Sequence, residues 1–462
     1  MDPIHINDVI KAVRGQLVQG SSNIGINGVS IDSRTIKPGD LFLAFPGERV
    51  DGHDFLEQVF DQGAAAAVIS HPVNFQSRAA LIMVDDPLKA LQDLAYYYRQ
   101  LYNIPVVAVT GSTGKTTTKD LIAGVLEQRF KVLKTSGNYN NEIGLPLTLL
   151  QLNHSHQIAV LEMAMRGRGQ IAALCELSCP QVGVITNIGK THLELLGSHE
   201  AIALAKGELL QALPSDGWAV LCGEDPWQVK LSEMVSGEVI FYGYSDHCTV
   251  SASQVVLDNL DGVEFNLSTP AGQRTCFLPL PGAHNVTNAL AAAAVGHRFG
   301  LTLQEIAAGL QSASLTGMRL EVKEEKDGVM IIDDSYNASP SSTIAALRLL
   351  AESGGERTIA VLGDMYELGE ETVDGHRQVG KEAVALQIDC LCTVGQLARE
   401  IAKGAINAGM DSDLIYVYQE KTEAVSFLRS YLQKGDVVLI KGSRGMKMEE
   451  IVAAIQDGEQ GE

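Results

Sequence analysis

Apolar residues fall along this chain in short runs, each closed by glycine, aspartate, serine or threonine and followed by a stretch of helical period. The texture changes twice, which divides the sequence into blocks at 1–98, 99–318 and 319–462. In the first block, strand signals stand at Gly28–Ile31, Leu41–Phe45, Ala66–Ile69 and Leu81–Val84, with a helix near Asp54–Gln62. Another helix is predicted after Asp86-Pro87, because the first helical turn does not need the N–H that proline lacks. In the second block the runs Pro105–Val109, Ile158–Leu161 and Val182–Ile185 are continuously apolar and alternate with helical segments. That alternation predicts a parallel sheet covered on both faces. The third block repeats it with Val329–Ile332, Thr358–Leu362, Cys390–Val394, Leu414–Val417 and Val437–Ile440. The predicted class is therefore α/β. Open α/β sheets bind ligands beyond the carboxyl ends of their strands, so the residues just after each strand are the candidates for chemistry.

Length and charge narrow the options. A chain of 462 residues exceeds what one core supports, so several domains are expected. The formal charge of −21 argues against a nucleic-acid binder, because nothing would offset repulsion by a phosphate backbone. An anionic substrate must be met by local cations and backbone N–H groups. Apolar runs such as Ala289–Val295 are too short to span a bilayer, and Met1–His5 does not open a signal peptide. Of the seven cysteines, the close pairs Cys175/Cys179 and Cys390/Cys392 lack a second pair at zinc spacing. They read as buried apolar residues in a reducing, cytoplasmic compartment.

The strongest chemical signal is Thr110-Gly111-Ser112-Thr113-Gly114-Lys115-Thr116-Thr117, between the strand Val106–Val109 and a helix reaching about Gln128. Glycines let the backbone wrap phosphates, and a helix N-terminus aims N–H groups at the anion. Lys115 is placed on the β- and γ-phosphates of ATP, and Thr116 offers a hydroxyl to Mg²⁺. Val109 stands where the common phosphate-loop pattern has its first glycine, so Gly111 shortens the loop. Glu162 ends the next apolar strand, where a Mg²⁺ ligand is expected, although such a glutamate is by itself an ordinary rim residue. His192 leaves a third strand in the segment Thr186–Glu194, where a metal role is plausible. Lys206 lies in the helical stretch Glu200–Leu213 and in isolation is a solvated charge. Asn285, in Pro281–Asn288, suits either a helix cap or a base contact. Arg319 lies at the junction of the second and third blocks, where a guanidinium can reach across a cleft to phosphate, although by itself it is an unremarkable surface arginine. Asp334 and Asn337 belong to the polar cluster Asp333–Pro340, which suits either a ligand or a plain loop.

Together, Gly111–Thr117, Glu162, Asn187 to His192, Lys206, His284-Asn285, Arg319 and Asp334 resemble the Mur ligases over essentially the whole chain. Within that family the closest resemblance is to the D-Ala-D-Ala-adding branch. It rests on Asn138–Pro146, Asp334–Ala338, Val361–Met365 and Lys441–Arg444, while Asp32-Ser33-Arg34 and Gly47-Glu48-Arg49 resemble the UDP-sugar-binding domain of that branch and of the lysine- or diaminopimelate-adding one. Glu162-Met163-Ala164 departs from relatives with glycine at the third position, and Arg166-Gly167-Arg168 is richer in charge than in many of them. The resemblance implies a small UDP-binding domain (1–98), a central phosphate-loop ATPase domain (99–318) and a Rossmann-like domain for the incoming amine (319–462). It implies ATP-dependent joining of D-alanyl-D-alanine to UDP-N-acetylmuramoyl-tripeptide through an acyl phosphate, by a monomer. It also implies two Mg²⁺ ions, with Thr116 and Glu162 on one, His192 on the other, and Lys206 carrying a CO₂-derived carbamate. Asn285 is implied at adenine and Asp334 at the nucleotide. Ser33, Arg34, Asn138, Asn141 and Asn337 are implied at substrate. The alternatives are another Mur enzyme, a folylpolyglutamate synthetase, or a phosphate-loop NTPase that switches partners without ligation. Asp32-Ser33-Arg34 weighs against the folate enzyme.

Overall fold

The computed structural model describes residues 1–47, 50–74, 79–189, 191, 193–325 and 328–456. Glu48, Arg49, Lys190 and His192, the last expected to hold a metal ion, lie outside the described residues.

Near the N-terminus, the strands Gln16–Gln19, Ala80–Met83, Ala66–Ile69, Asp40–Leu43 and Gly28–Ser30 lie side by side in that order. The first is antiparallel to its neighbour and the others run parallel. The helix Pro87–Arg99 starts where proline predicted it. Asp86 caps it by accepting from the Leu88 and Lys89 N–H groups. Its buried face (Ala90, Leu91, Leu94, Ala95, Tyr98) belongs to an apolar cluster that runs from Ile6 and Ile82 to Leu145, Leu161, Ile171 and Leu209. The N-terminal and central sheets are thus joined through one continuous core. Polar groups reinforce the joint. The Tyr98 hydroxyl donates to Leu152 O at 2.8 Å, and the buried Arg99 donates to Ser178 O at 3.0 Å and Ile104 O at 2.9 Å.

The central sheet has nine strands. Val106–Thr110 lies third from one edge, parallel to Ile158–Glu162 on one side and Val182–Ile185 on the other. The expectation of a wholly parallel sheet needs correcting at one edge. Val250–Asp258, Gly262–Thr269 and Gly272–Leu278 form an antiparallel meander. Their connections at 259–261 and 270–271 are far too short for the helical crossover that a parallel pair requires.

In the C-terminal sheet the order is Glu321–Glu324, Met330–Asp334, Asp436–Lys441, Arg357–Gly363, Cys390–Val394 and Ile415–Tyr418. All neighbours are parallel except the first pair. The core around Leu347, Leu350, Ala360, Leu362 and Leu391 is separate from the one shared by the other two sheets. From the central sheet, Leu260 packs against it at the tip of the first hairpin. No helix among the described residues is long and apolar enough to cross a membrane.

Candidate active site

The buried strand Val106–Thr110 delivers the chain to a turn that only glycine permits at two places. Gly111 has φ 154° and Gly114 φ 75°. A Cβ at Gly111 would lie 1.9 Å from Thr186 Oγ1, and one at Gly114 would lie 2.7 Å from Asn288 Oδ1. Neighbouring strands hold the loop down. Ser112 N–H donates to Asn187 O and Thr113 N–H to Asn187 Oδ1, each at 3.0 Å. Thr186 Oγ1 donates to Thr113 O at 2.6 Å. The N–H groups of Lys115, Thr116 and Thr117 open the helix Lys115–Leu126 and have no carbonyl upstream within it, so they remain for an anion.

Charge is concentrated behind this loop. Lys115 donates to Gly111 O at 2.9 Å. Enclosure of its ammonium pushes its pKa down, Glu162 opposes that, and Arg319 adds to it, so the three groups are electrostatic neighbours. Glu162 is 1% exposed. Its carboxylate accepts from Thr116 Oγ1 at 2.8 Å and from Asn140 Nδ2 at 2.7 Å. A hydroxyl and a buried carboxylate in contact beside a phosphate loop form the hard oxygen donor set that Mg²⁺ prefers, so these residues fit that ion. Lys206, on the helix His199–Gln211, is 2% exposed and has no hydrogen bond or ion pair among the described residues. Burial, and then the nearby Lys115, push its pKa well below the usual lysine range.

The opposite wall comes from the C-terminal sheet and the junction before it. Met318 and Leu320 take left-handed conformations, φ 61° and 53°, on either side of Arg319. The Arg319 guanidinium lies over the Tyr336 ring, 4.1 Å from its centroid, and its buried Nε has no acceptor. An unpaired buried donor on a cation facing Lys115 marks a place for an anion. Asp334 accepts from Lys441 at 2.5 Å, and Lys441 also donates to Asn337 O at 2.9 Å.

These walls enclose a cavity of about 1300 Å³. It brings together Ser112 to Thr117, Asn138, Asn141, Glu162, Asn285, Arg319, Asp334 and Asn337, all anticipated from the sequence. Thr110 and Gly111 stand just behind it, the Thr110 hydroxyl being spent on Met163 O. Asn285 has its amide engaged by Pro281 O and Asn288. Asn141 Oδ1 accepts from the Ile143 and Gly144 N–H groups where the helix Gly144–Leu149 begins. Ser33 and Arg34 are not in the wall. Arg34 is 83% exposed at its side chain and is paired with Asp32 at 2.7 Å, away from the other candidates. The sequence reading left out Asn140, Tyr336, Lys441 and Arg444 as site residues. The signal was there, since each lies in a quoted polar segment, but nothing local tells which side chain of a segment faces the cavity. The group Asp51, His53 and His71 lies apart. His53 gives one ring nitrogen to Asp51 and the other to the Ser70 N–H, so it is no free ligand.

Comparison with known proteins agrees over the full length. Three family profiles match: Mur ligase family, catalytic domain, at 25–99; Mur ligase middle domain at 109–296; and Mur ligase, glutamate ligase domain, at 318–444. The UDP-N-acetylmuramoyl-tripeptide–D-alanyl-D-alanine ligase of Bacillus subtilis is 41% identical over 450 residues, 97% of each chain. The crystal structure of MurF from Acinetobacter baumannii superimposes with a TM-score of 0.89 over 99% of both chains, at 31% identity. MurF ligase from Thermotoga maritima, in complex with ADP, gives 0.80 at 29% identity, over 93% of this chain and 97% of that one. The chain belongs to the Mur ligase family.

Proposed function

We propose that this protein is the ATP-dependent ligase that joins D-alanyl-D-alanine to UDP-N-acetylmuramoyl-tripeptide, giving the pentapeptide precursor of peptidoglycan. The observation that carries this reading is the facing of Lys115, Thr116 and Glu162 by Arg319 across one cavity, in a chain similar throughout to ligases of that name. The chain is read as three working parts, 1–98 for the UDP moiety, 99–318 for ATP and 319–462 for the dipeptide. We take it to act as a monomer in the cytoplasm, in keeping with its seven free cysteines.

The tripeptide carboxylate attacks the γ-phosphorus of ATP, releasing ADP and leaving an acyl phosphate. The dipeptide amine then attacks the acyl carbon and loses a proton, and inorganic phosphate departs as the amide forms. Both steps bring anions together, so the residues act mainly by neutralising charge and aligning the reactants. Lys115 and the N–H groups of Lys115 to Thr117 hold the phosphates, and Arg319 meets the transferred group from the other wall. Thr116 and Glu162 would hold one Mg²⁺, with Asn140 orienting the carboxylate. When bound, that ion neutralises phosphate charge. A second ion is assigned to His192 and to Lys206 as its carbamate. Burial disfavours the charged form of this amine, the neutral form is the one that reacts with CO₂, and a carbamate supplies the oxygens that magnesium requires. Asn285 and Asp334 are assigned to the nucleotide, and Ser33, Arg34, Asn138, Asn141 and Asn337 to substrate.

ADP release tests the reading. It should require UDP-N-acetylmuramoyl-tripeptide and D-alanyl-D-alanine together. Turnover that ignores both would instead fit an NTPase switch.

A further inference from the structure

Two guanidinium groups lie against the Tyr336 ring. Arg319 Cζ lies 4.1 Å from its ring centroid and Arg444 Cζ 6.0 Å. The two cations therefore sit within about 10 Å of each other, held by one rigid aromatic side chain. They differ in setting. Arg319 faces Lys115 on the nucleotide side. Arg444, 49% exposed, gives Nη1 to Glu449 at 2.8 Å and leaves the rest of its five-donor fork available.

Apart from Arg319 on the nucleotide side, Arg444 has one cationic rival among the described residues lining the C-terminal wall, Lys441. That ammonium is 3% exposed and already held by Asp334 and the Asn337 carbonyl. Ser443, between them, accepts from the Tyr366 N–H and keeps its own O–H to donate, but as a neutral group it does not supply the charge that meets a carboxylate. An incoming dipeptide has an amine at one end and a carboxylate at the other. Two extended residues span about 7 Å. With the amine at the acyl carbon beside Arg319, its carboxylate falls within reach of Arg444.

We propose that Arg444 recognises the terminal carboxylate of the amine substrate and that Tyr336 holds it within a dipeptide's reach of Arg319. The inference rests on the ligase reading above and adds to it the residue that makes the enzyme demand a free carboxylate. A planar fork suits a carboxylate better than a lysine would, because it donates two parallel hydrogen bonds.

The test compares D-alanyl-D-alanine with its C-terminal amide, measuring ADP release by the full-length enzyme at saturating ATP and UDP-N-acetylmuramoyl-tripeptide. Wild type should use the amide about 30-fold less efficiently in kcat/KM, the size of one charge-assisted contact. Arg444→Gln should lose about that factor with the dipeptide, change by less than about 3-fold with the amide, and keep its KM for ATP. Tyr336→Leu should weaken the discrimination and Tyr336→Phe should restore it, because the ring and not the hydroxyl positions the arginine. An Arg444→Gln enzyme that still prefers the free acid as strongly as wild type overturns the assignment. So does a loss confined to KM for ATP, or an unaltered preference in Tyr336→Leu. A wild-type enzyme that ignores the dipeptide altogether sinks the ligase reading itself, and this inference with it.

Discussion

A phosphate loop concentrates several roles in few atoms, so single substitutions there separate chemistry from folding. The Lys115 ammonium contacts loop carbonyls and little else, and Lys115→Ala should leave the fold intact. Losing one charge-assisted contact costs about 2–4 kcal/mol in the transition state, or roughly 30- to 1000-fold in turnover. An unchanged rate in a correctly folded variant would remove the loop from the mechanism. Lys206 permits a sharper test. Lys206→Arg keeps the charge but cannot form a carbamate, so it should be as inactive as Lys206→Ala. The alanine variant alone should regain part of its activity with added short-chain carboxylates. Full activity in Lys206→Arg would return the residue to an ordinary buried lysine. At this scale the sequence was informative where chemistry is local. Glycines, Lys115 and Thr116 announce themselves in one short stretch. Asn140 could not, because its partner Glu162 is distant in the chain and is brought to it only by the sheet.

Elements were legible wherever apolar runs exceeded their polar flanks. The strand Cys390–Val394 and the proline-led helix Pro87–Arg99 stand where they were expected. The meander Val250–Leu278 escaped notice because its strands alternate apolar and polar residues, so no continuous run marks them. One helix ties the phosphate-loop layer to its neighbour and makes a pH prediction. Thr302 and Glu305 form a capping box at the start of Leu303–Ser312, and Glu305 also pairs with Arg129, just past the phosphate-loop helix. Hydrogen bonds from the Thr302 backbone and side chain, then Arg129, hold its carboxyl down to about 2. A depressed carboxyl stabilises the fold fully above the unfolded value of about 4.3, and the contribution fades as pH falls towards 2. Glu305→Gln should therefore lower Tm at neutral pH, and the gap from wild type should close on acidification through that window. A gap that stays constant between pH 5 and 2.5 would contradict the linkage.

At the scale of the molecule, the uneven distribution of cores sets what can move. The N-terminal and central sheets share one apolar cluster, whereas the C-terminal sheet has its own and meets them at places that include Leu260, an Arg166–Glu367 contact at 3.9 Å, the approach of Gly369 to Glu194 and the junction around Arg319. Saturating ATP analogue and UDP-N-acetylmuramoyl-tripeptide should therefore shift the C-terminal part as a body, and small-angle scattering should record a smaller radius of gyration. An unchanged radius at saturation would count against that motion. The core shared by the first two sheets was not legible in the sequence, because the face of Pro87–Arg99 looks like that of any amphipathic helix. That shared core also governs how the chain is made. When residue 99 leaves the ribosome, the helices Gly144–Leu149 and Gln170–Ser178 that pack on its helix have not been synthesised. At ~5–20 residues per second they arrive on the order of ten seconds later. Until then the N-terminal segment carries an uncovered greasy face, an early client for whatever chaperone waits at the exit tunnel, while the last segment can fold as soon as it emerges.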